Sequence, residues 1–200
     1  MPVMQRRARD TRTSLLQAAA DVFADVGYTE ANVADIVARA GSSVGSMYHH
    51  FGGKADLFLA LYDDYQSRQE ERADAAVLEA RVAGEHEPLQ LFLIGARAVL
   101  RGCWEERQLA RLFLTGDGPP GFERVALDRF AAWVKRVGGL LRTADGLAIE
   151  RVEGAAGEAY VLVLTTVISA AGREVTSQLS QDAASSFAEA VLDVLGRLAK

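Results

Sequence analysis

Three histidines, His49, His50 and His86, are the side chains best suited to acid–base or metal chemistry near neutral pH. Neighbouring positions on a helix diverge by about 100°, so His49 and His50 cannot converge on one ion or one proton path. No HExxH or Glu-x-x-His spacing completes a ligand set. No cofactor and no metal is therefore expected, and a small helical enzyme is the alternative that metal analysis would test. A second chemistry fits the surrounding residues better. If 43–50 is a helix, Met47 and Phe51 share its inner side. Gly45, Ser46 and His49 then lie opposite, with Tyr48 and His50 on the flanks. Ser46 can bond base edges or phosphate, Tyr48 and His50 can reach phosphate oxygens, and Gly45 permits close approach. Lys54, at the start of the following helix, combines a charge with a helix N-terminus, both attractive to an anion. A solvated polar face carrying two surface histidines is the bland reading of the same residues.

These side chains need elements that hold them in place, and the sequence predicts helices nearly throughout. Leu15, Ala19, Val22, Phe23 and Val26 form one apolar face over 11–26, with Asp10 or Thr11 to cap it and Gly27 to end it. A second helix is expected over 33–40, with Asn32 as N-cap, Asp35 in the first turn, Val33, Ile36 and Val37 inward, and Gly41 at its end. A third begins at Ser43 and stops before Gly52 and Gly53. Two short helices joined by a tight glycine-containing turn meet the requirement of a helix-turn-helix, whose second helix must stand proud to enter a major groove. A fourth helix runs from Lys54 past Arg72. Others follow over 88–104, 105–114, 122–142, 149–175 and 183–198, with a proline- and glycine-rich loop at 115–121. No alternating run bounded by hairpin turns marks a strand.

The stretch TRTSLLQAAADVFADVGYTEANVADIVARAGSSVGSMYHHFGGKADLF, residues 11–58, resembles the DNA-binding domain of the TetR family, most closely in GSMYHHFGGKADLF. The resemblance implies an all-α fold, with a three-helix helix-turn-helix domain over 1–53 and a helical ligand-binding and dimerisation bundle over 54–200. It implies that Ser43, Val44, Gly45, Ser46, Tyr48, His49 and His50 occupy operator-contacting positions, and that the backbone amide and side chain of Lys54 meet phosphate. Thr29 and Asn32 rank lower as phosphate contacts. Two departures stand out. Ser42 replaces the usual apolar residue before the helix cap, and Val44 stands where a polar or basic residue is common, which favours a thymine methyl as its contact.

The resemblance further implies a ligand-responsive regulator, most often a repressor released from a palindromic operator. Its partners would be double-stranded operator DNA, a small-molecule effector and a second copy of the chain, paired through the helices at 149–175 and 183–198. The first of those helices is rich in Gly and Ala, which permits close approach. Tyr62, Tyr65, Phe92, Trp104, Phe113, Phe130, Trp133 and Tyr160 are the candidates for lining an apolar effector pocket, with Arg97 or Arg101 to neutralise a charge. Taken singly, each fits plain core packing better than a pocket, and it is the set together that suggests an apolar effector.

Composition narrows the classes. The chain has 200 residues, 50% of them hydrophobic, and can bury a sizeable core. Its net charge of −5 argues against indiscriminate coating of nucleic acid. Residues 1–54 carry six basic against five acidic side chains, and 55–200 carry 16 against 22, so DNA contact is expected at the N-terminal end, where Arg6, Arg7, Arg9 and Arg12 cluster. The acidic body leaves a protein-interaction module as the other alternative. The single cysteine, Cys103, is expected to be buried and structural, and excludes an internal disulfide. No signal-peptide pattern follows the N-terminal arginines. The apolar run 159–172 is shorter than the roughly 20 residues a bilayer span requires. It is expected to be a buried helix of a cytoplasmic protein without membrane contact.

Overall fold

A computed structural model describes residues 3–114, 117–143, 146–147 and 154–198. Nine helices are present among the described residues: α1 (Val3–Glu30), α2 (Val33–Arg39), α3 (Val44–Phe51), α4 (Lys54–Val82), α5 (Pro88–Glu105), α6 (Arg107–Leu114), α7 (Phe122–Leu140), α8 (Gly154–Ser177) and α9 (Gln181–Leu198). The one ladder is a two-residue antiparallel pair, β1 (Arg142–Thr143) with β2 (Gly146–Leu147), in the register Arg142 to Leu147 and Thr143 to Gly146. The fold is all-α apart from this short hairpin, which takes up the end of the expected 122–142 helix. Positions 115–116 of the expected loop and 149–153 of the expected eighth helix lie outside the described residues.

The chain divides into two compact units. The first comprises Met1–Ser67 and Arg111–Glu123, and so is larger than the expected 1–53 domain. It adds the first turns of α4, the end of α6 and the loop before α7. Leu15, Ala19, Val22 and Phe23 of α1 are buried with Ile36 and Val37 of α2, Met47 and Phe51 of α3, and Leu57 and Phe58 of α4. Two expectations for α1 fail. The helix begins at Val3, so Thr11 lies inside it and its hydroxyl donates to the Arg7 carbonyl at 2.9 Å, in place of capping a first turn. Val26 is 52% exposed, and the backbone leaves helical geometry at the next residue, Gly27 (φ 80, ψ 170).

An aromatic cluster closes this unit. Phe58 meets Phe23, Tyr28, Phe113 and Phe122 edge-on, and Tyr62 meets Phe113 and Phe122 in the same way, with centroids 5.0–5.5 Å apart. Such edge-to-face pairs contribute about 0.5–1.5 kcal/mol each beyond their burial.

The second unit comprises Arg68–Ala110 and Arg124–Lys200. Here α5 packs against α8 and α9, and α8 against α9. Pro88 opens α5 and the Glu87 carboxylate caps it, accepting from the Leu89 and Gln90 amides at 3.0 and 2.6 Å. Cys103 is buried, as its type and context indicate. The expectation of a buried eighth helix holds on one side only. Val161, Leu164, Ile168, Ala171 and Val175 are buried, while Ala159, Leu162, Val163, Thr166 and Ala170 form an exposed row. α8 is the one helix among the described residues long and apolar enough to cross a membrane by length and composition alone.

Candidate nucleic-acid interface

The geometry of α3 follows from its caps. The Ser43 hydroxyl accepts from the Ser46 amide at 3.1 Å, and Gly52 ends the helix in the left-handed conformation (φ 65), its amide donating to the Tyr48 carbonyl. Asn32 caps α2 by accepting from the Ala34 amide at 2.9 Å. Between the two helices, Gly41 adopts φ 59, and the Ser42 amide donates to the Val37 carbonyl at 2.9 Å. Ser42 therefore closes the turn with its backbone while its side chain remains half-buried.

Burial then fixes which face α3 presents. Met47 and Phe51 are the buried residues of this helix. Ser43, Val44, Gly45, Tyr48 and His49 are exposed, and Ser46 and His50 are half-buried beside them. All seven thus keep accessible surface around the part of α3 that Met47 and Phe51 do not bury. The His49 and His50 rings lie edge-on with centroids 5.5 Å apart, and no group of three or more potential metal ligands forms among the described residues. Arg12 of α1 places its guanidinium 5.1 Å over the Phe51 ring, so one member of the N-terminal arginine cluster is packed against α3.

The Lys54 side chain is engaged within the chain itself. Its ammonium donates to the carbonyls of Tyr28 at 2.8 Å, Ala31 at 2.9 Å and Thr29 at 3.3 Å, and lies 4.5 Å over the Tyr28 ring. An ammonium has three protons, and three carbonyls take them. The side chain thus pins the α1–α2 connection, and what α4 can offer a phosphate at this point is its N-terminal dipole. The same connection is held from its amide side by Asp117, which accepts from the Tyr28 amide at 2.6 Å and the Thr29 hydroxyl at 3.1 Å. Thr29 is accordingly committed to Asp117. With no side chain, Gly27 leaves room for this contact, since a Cβ there would strike Asp117 Oδ2.

The eight aromatics proposed for an effector pocket fall into both units. Tyr62, Tyr65 and Phe113 belong to the first unit, where they are buried as core, Tyr62 edge-on and Tyr65 tilted against Phe113. Phe92, Trp104, Phe130, Trp133 and Tyr160 belong to the second. There Phe130 and Trp133 pair at 5.9 Å, Trp104 lies under the Arg107 guanidinium, and the Tyr160 hydroxyl is buried without a partner among the described residues. Burial first, and then the Glu87 carboxylate, raise the Tyr160 pKa. Two surface grooves accompany α5. One, of about 290 Å³, lies along α4 and is lined by Ala76, Ala80, Ile94, Arg97 and Arg101 among others, and one of about 320 Å³ lies along α9. None of the eight aromatics lines either groove. Arg97, expected to meet an effector, is paired with Glu189 at 2.5 and 2.8 Å.

Sequence reasoning missed Asp117, Gln69 and the pairing of Arg68 and Arg72 with Glu106. Asp117 and the two arginines depend on partners far away in the chain and Gln69 on burial by other elements, and only the Arg68/Arg72 spacing of four left any local trace.

A capped, outward-facing second helix anchored on a three-helix headpiece, with a separate helical body, defines a helix-turn-helix protein of two units. Residues 15–61 match the family described as bacterial regulatory proteins, tetR family. The A-factor receptor protein of Streptomyces griseus is 36% identical over 80 residues, which is 40% of this chain and 29% of that one. The chain thus matches less than a third of that relative's length. Among solved structures, the SmeT–triclosan complex superposes with a TM-score of 0.76 at 18% identity, covering 94% of this chain and 90% of that one. NalD, the secondary repressor of the MexAB-OprM multidrug efflux pump in Pseudomonas aeruginosa, superposes with a TM-score of 0.72 at 18% identity, covering 96% of each chain. The headpiece, residues 15–61, thus carries the pattern of the tetR family, and the chain as a whole shares the fold of these solved structures.

Proposed function

We propose that this chain is a ligand-responsive transcriptional regulator, a repressor that leaves a palindromic operator when a small, largely apolar effector binds its helical body. The observation that carries this reading is the α3 face. Met47 and Phe51 root the helix, and Ser43, Val44, Gly45, Ser46, Tyr48, His49 and His50 line the accessible side. Sequence would be read by Ser46, and by Val44 against a thymine methyl, while Tyr48, His50 and the α4 N-terminus meet phosphate.

Two recognition helices are needed to read a palindrome, about 34–36 Å apart or at a related spacing. The exposed row on α8, with Ala190 and Val194 on α9, supplies a surface for a second copy. A membrane is the rival occupant of the α8 row, and a cytoplasmic homodimer is the reading adopted. SmeT is seen with triclosan and NalD is a repressor, which supports effector control and repression here by likeness of fold. A thousandfold loss of operator affinity requires an effector to favour the released conformation by about 4 kcal/mol. An enzymatic role has no comparable support in the arrangement of the residues.

The test is selection of bound sequences from a random duplex pool, followed by binding of the selected DNA at several salt concentrations. A regulator yields one palindrome bound three or more orders of magnitude above random DNA. A module that reads another protein yields none.

A further inference from the structure

We propose that the face of α4 carrying Arg68, Gln69 and Arg72 is a recognition site for an organic carboxylate, occupied by the chain's own Glu106, and that an acidic effector binds by taking Glu106's place. This rests on the effector-responsive reading above only for its regulatory consequence, and it replaces the largely apolar effector there with one whose recognised end is a carboxylate.

Two guanidiniums converge there on one carboxylate. Arg68 donates to Glu106 Oε2 through Nε at 3.0 Å and Nη2 at 2.6 Å, and Arg72 donates to Oε1 through Nη1. Spacing by four residues puts both arginines on one helix face. The Glu106 side chain is 18% exposed and those of Arg68 and Arg72 are 34% and 28%, so the clasp is half-buried and its charge-assisted bonds are only partly screened by water. Arg72 also lies 3.7 Å from Glu105 Oε2, and Arg101 lies 3.8 Å from Glu105 Oε1, which accounts for the neighbouring charges.

Between the two arginines in sequence sits Gln69, 5% exposed, with neither Oε1 nor Nε2 bonded among the described residues. Buried carboxamides without partners are rare, because both halves lose water and gain nothing. Gln69 lies beside the arginines. A Cβ added at Gly102 of α5 would strike Gln69 Oε1 and stand 3.0 and 3.1 Å from Arg72 Cδ and Nη1, so the amide oxygen and the guanidinium share the bare patch over that glycine.

Glu106 is also free to yield. It is the C-cap of α5 through its backbone, whose amide donates to the Gly102 carbonyl at 3.0 Å, so its carboxylate can swing away without opening the helix end. The ligand chemistry follows from the donors and acceptors. A carboxylate takes the Arg68 and Arg72 forks and accepts from Gln69 Nε2, and a hydroxyl or N–H next to the acid donates to Gln69 Oε1. The class is an organic acid with a donor beside its carboxylate. Because Glu106 joins α5 to α6, displacing its carboxylate removes the Arg68 and Arg72 tethers from that connection while its backbone cap stays in place.

The site can be probed without knowing the effector. Glu106→Ala removes the internal carboxylate, and thermal melts follow additions of sodium lactate, sodium acetate or sodium chloride at matched ionic strength. The expected result is a saturable rise in Tm with both carboxylates, with lactate half-saturating several-fold below acetate, and loss of that preference in Glu106→Ala with Gln69→Leu. Equal effects of chloride and the carboxylates would overturn the proposal. If Glu106→Ala does not fold, the Arg68 and Arg72 Nε–H resonances of the wild-type chain are titrated with lactate. A saturable shift beyond that caused by chloride supports the site, and the absence of one overturns it. These melts and titrations contain no DNA, so they stand or fall separately from the search for an operator.

Discussion

The Asp117 carboxylate accepts the backbone amide of Tyr28 at 2.6 Å, tying the loop before α7 to the connection that leads into the helix-turn-helix. Its other oxygen takes the Thr29 hydroxyl, and Gly27 is the residue whose missing side chain lets it approach. Replacing Asp117 with Ala leaves the half-buried Tyr28 amide without its charged acceptor. The expected cost is about 1–3 kcal/mol of stability, read by urea unfolding. Hydrogen exchange at the Tyr28 amide should accelerate while exchange in the α5 core does not change.

Lys54 offers a sharper separation of roles. With its ammonium bonded to the Tyr28, Thr29 and Ala31 carbonyls, Lys54→Met should destabilise the chain by about 1.5–3 kcal/mol. It should leave the salt slope of DNA binding close to the wild-type value, because no phosphate contact of its side chain is lost. A slope shallower by about 0.9 would instead show the ammonium neutralising a phosphate.

What the sequence discloses here is local chemistry. Asn32 and Ser43 cap the helices they precede, Gly27, Gly41 and Gly52 adopt positive φ at breaks they mark by type, and Met47 and Phe51 turn inward as their spacing requires. Lys54 was legible as a charge at a helix start, but its partners 23 to 26 residues away were not. Asp117 stood in a run of glycines and prolines, with nothing nearby to reveal an acceptor 89 residues from its donor. The aromatics were recognisable as apolar bulk. Periodicity does not say that Tyr62, Tyr65 and Phe113 would be spent on the core of the first unit. In α8 the apolar content was plain, yet hydrophobicity alone does not state what covers each face.

Glu106 predicts a pH dependence. Burial pushes its carboxyl up, but hydrogen bonds from Arg68 and Arg72, and then their charges, outweigh this and hold it below the ordinary glutamate value. A folded-state value below the unfolded one contributes stability that is complete above the unfolded pKa of about 4.3 and is lost as pH falls through the folded value. The Tm should therefore drop on acidification below about pH 5, and the drop should be smaller in Glu106→Gln. An identical acid profile for both proteins would remove the Arg68 and Arg72 clasp as a contributor.

The exposed row on α8 makes a prediction about assembly. Leu162 and Val163 are 48% and 53% exposed, and they sit at its centre. Leu162→Lys with Val163→Lys should convert a sedimenting dimer to a monomer whose helical circular dichroism is unchanged, since neither side chain belongs to the buried face. Co-sedimentation of the wild-type chain with lipid vesicles, lost in the double variant, would instead assign the row to a membrane.

The central claim is that α3 reads DNA, and the most direct measurement is selection from a random duplex pool with wild-type protein and with Tyr48→Ala. Tyr48 is 52% exposed, so its loss should leave folding intact. The expected result is one enriched palindrome, bound with a steep salt dependence, and an affinity for it at least about tenfold weaker in the variant, or about 1.4 kcal/mol. No enriched sequence, with wild type and variant binding DNA alike, would contradict the assignment of α3 as an operator-reading helix.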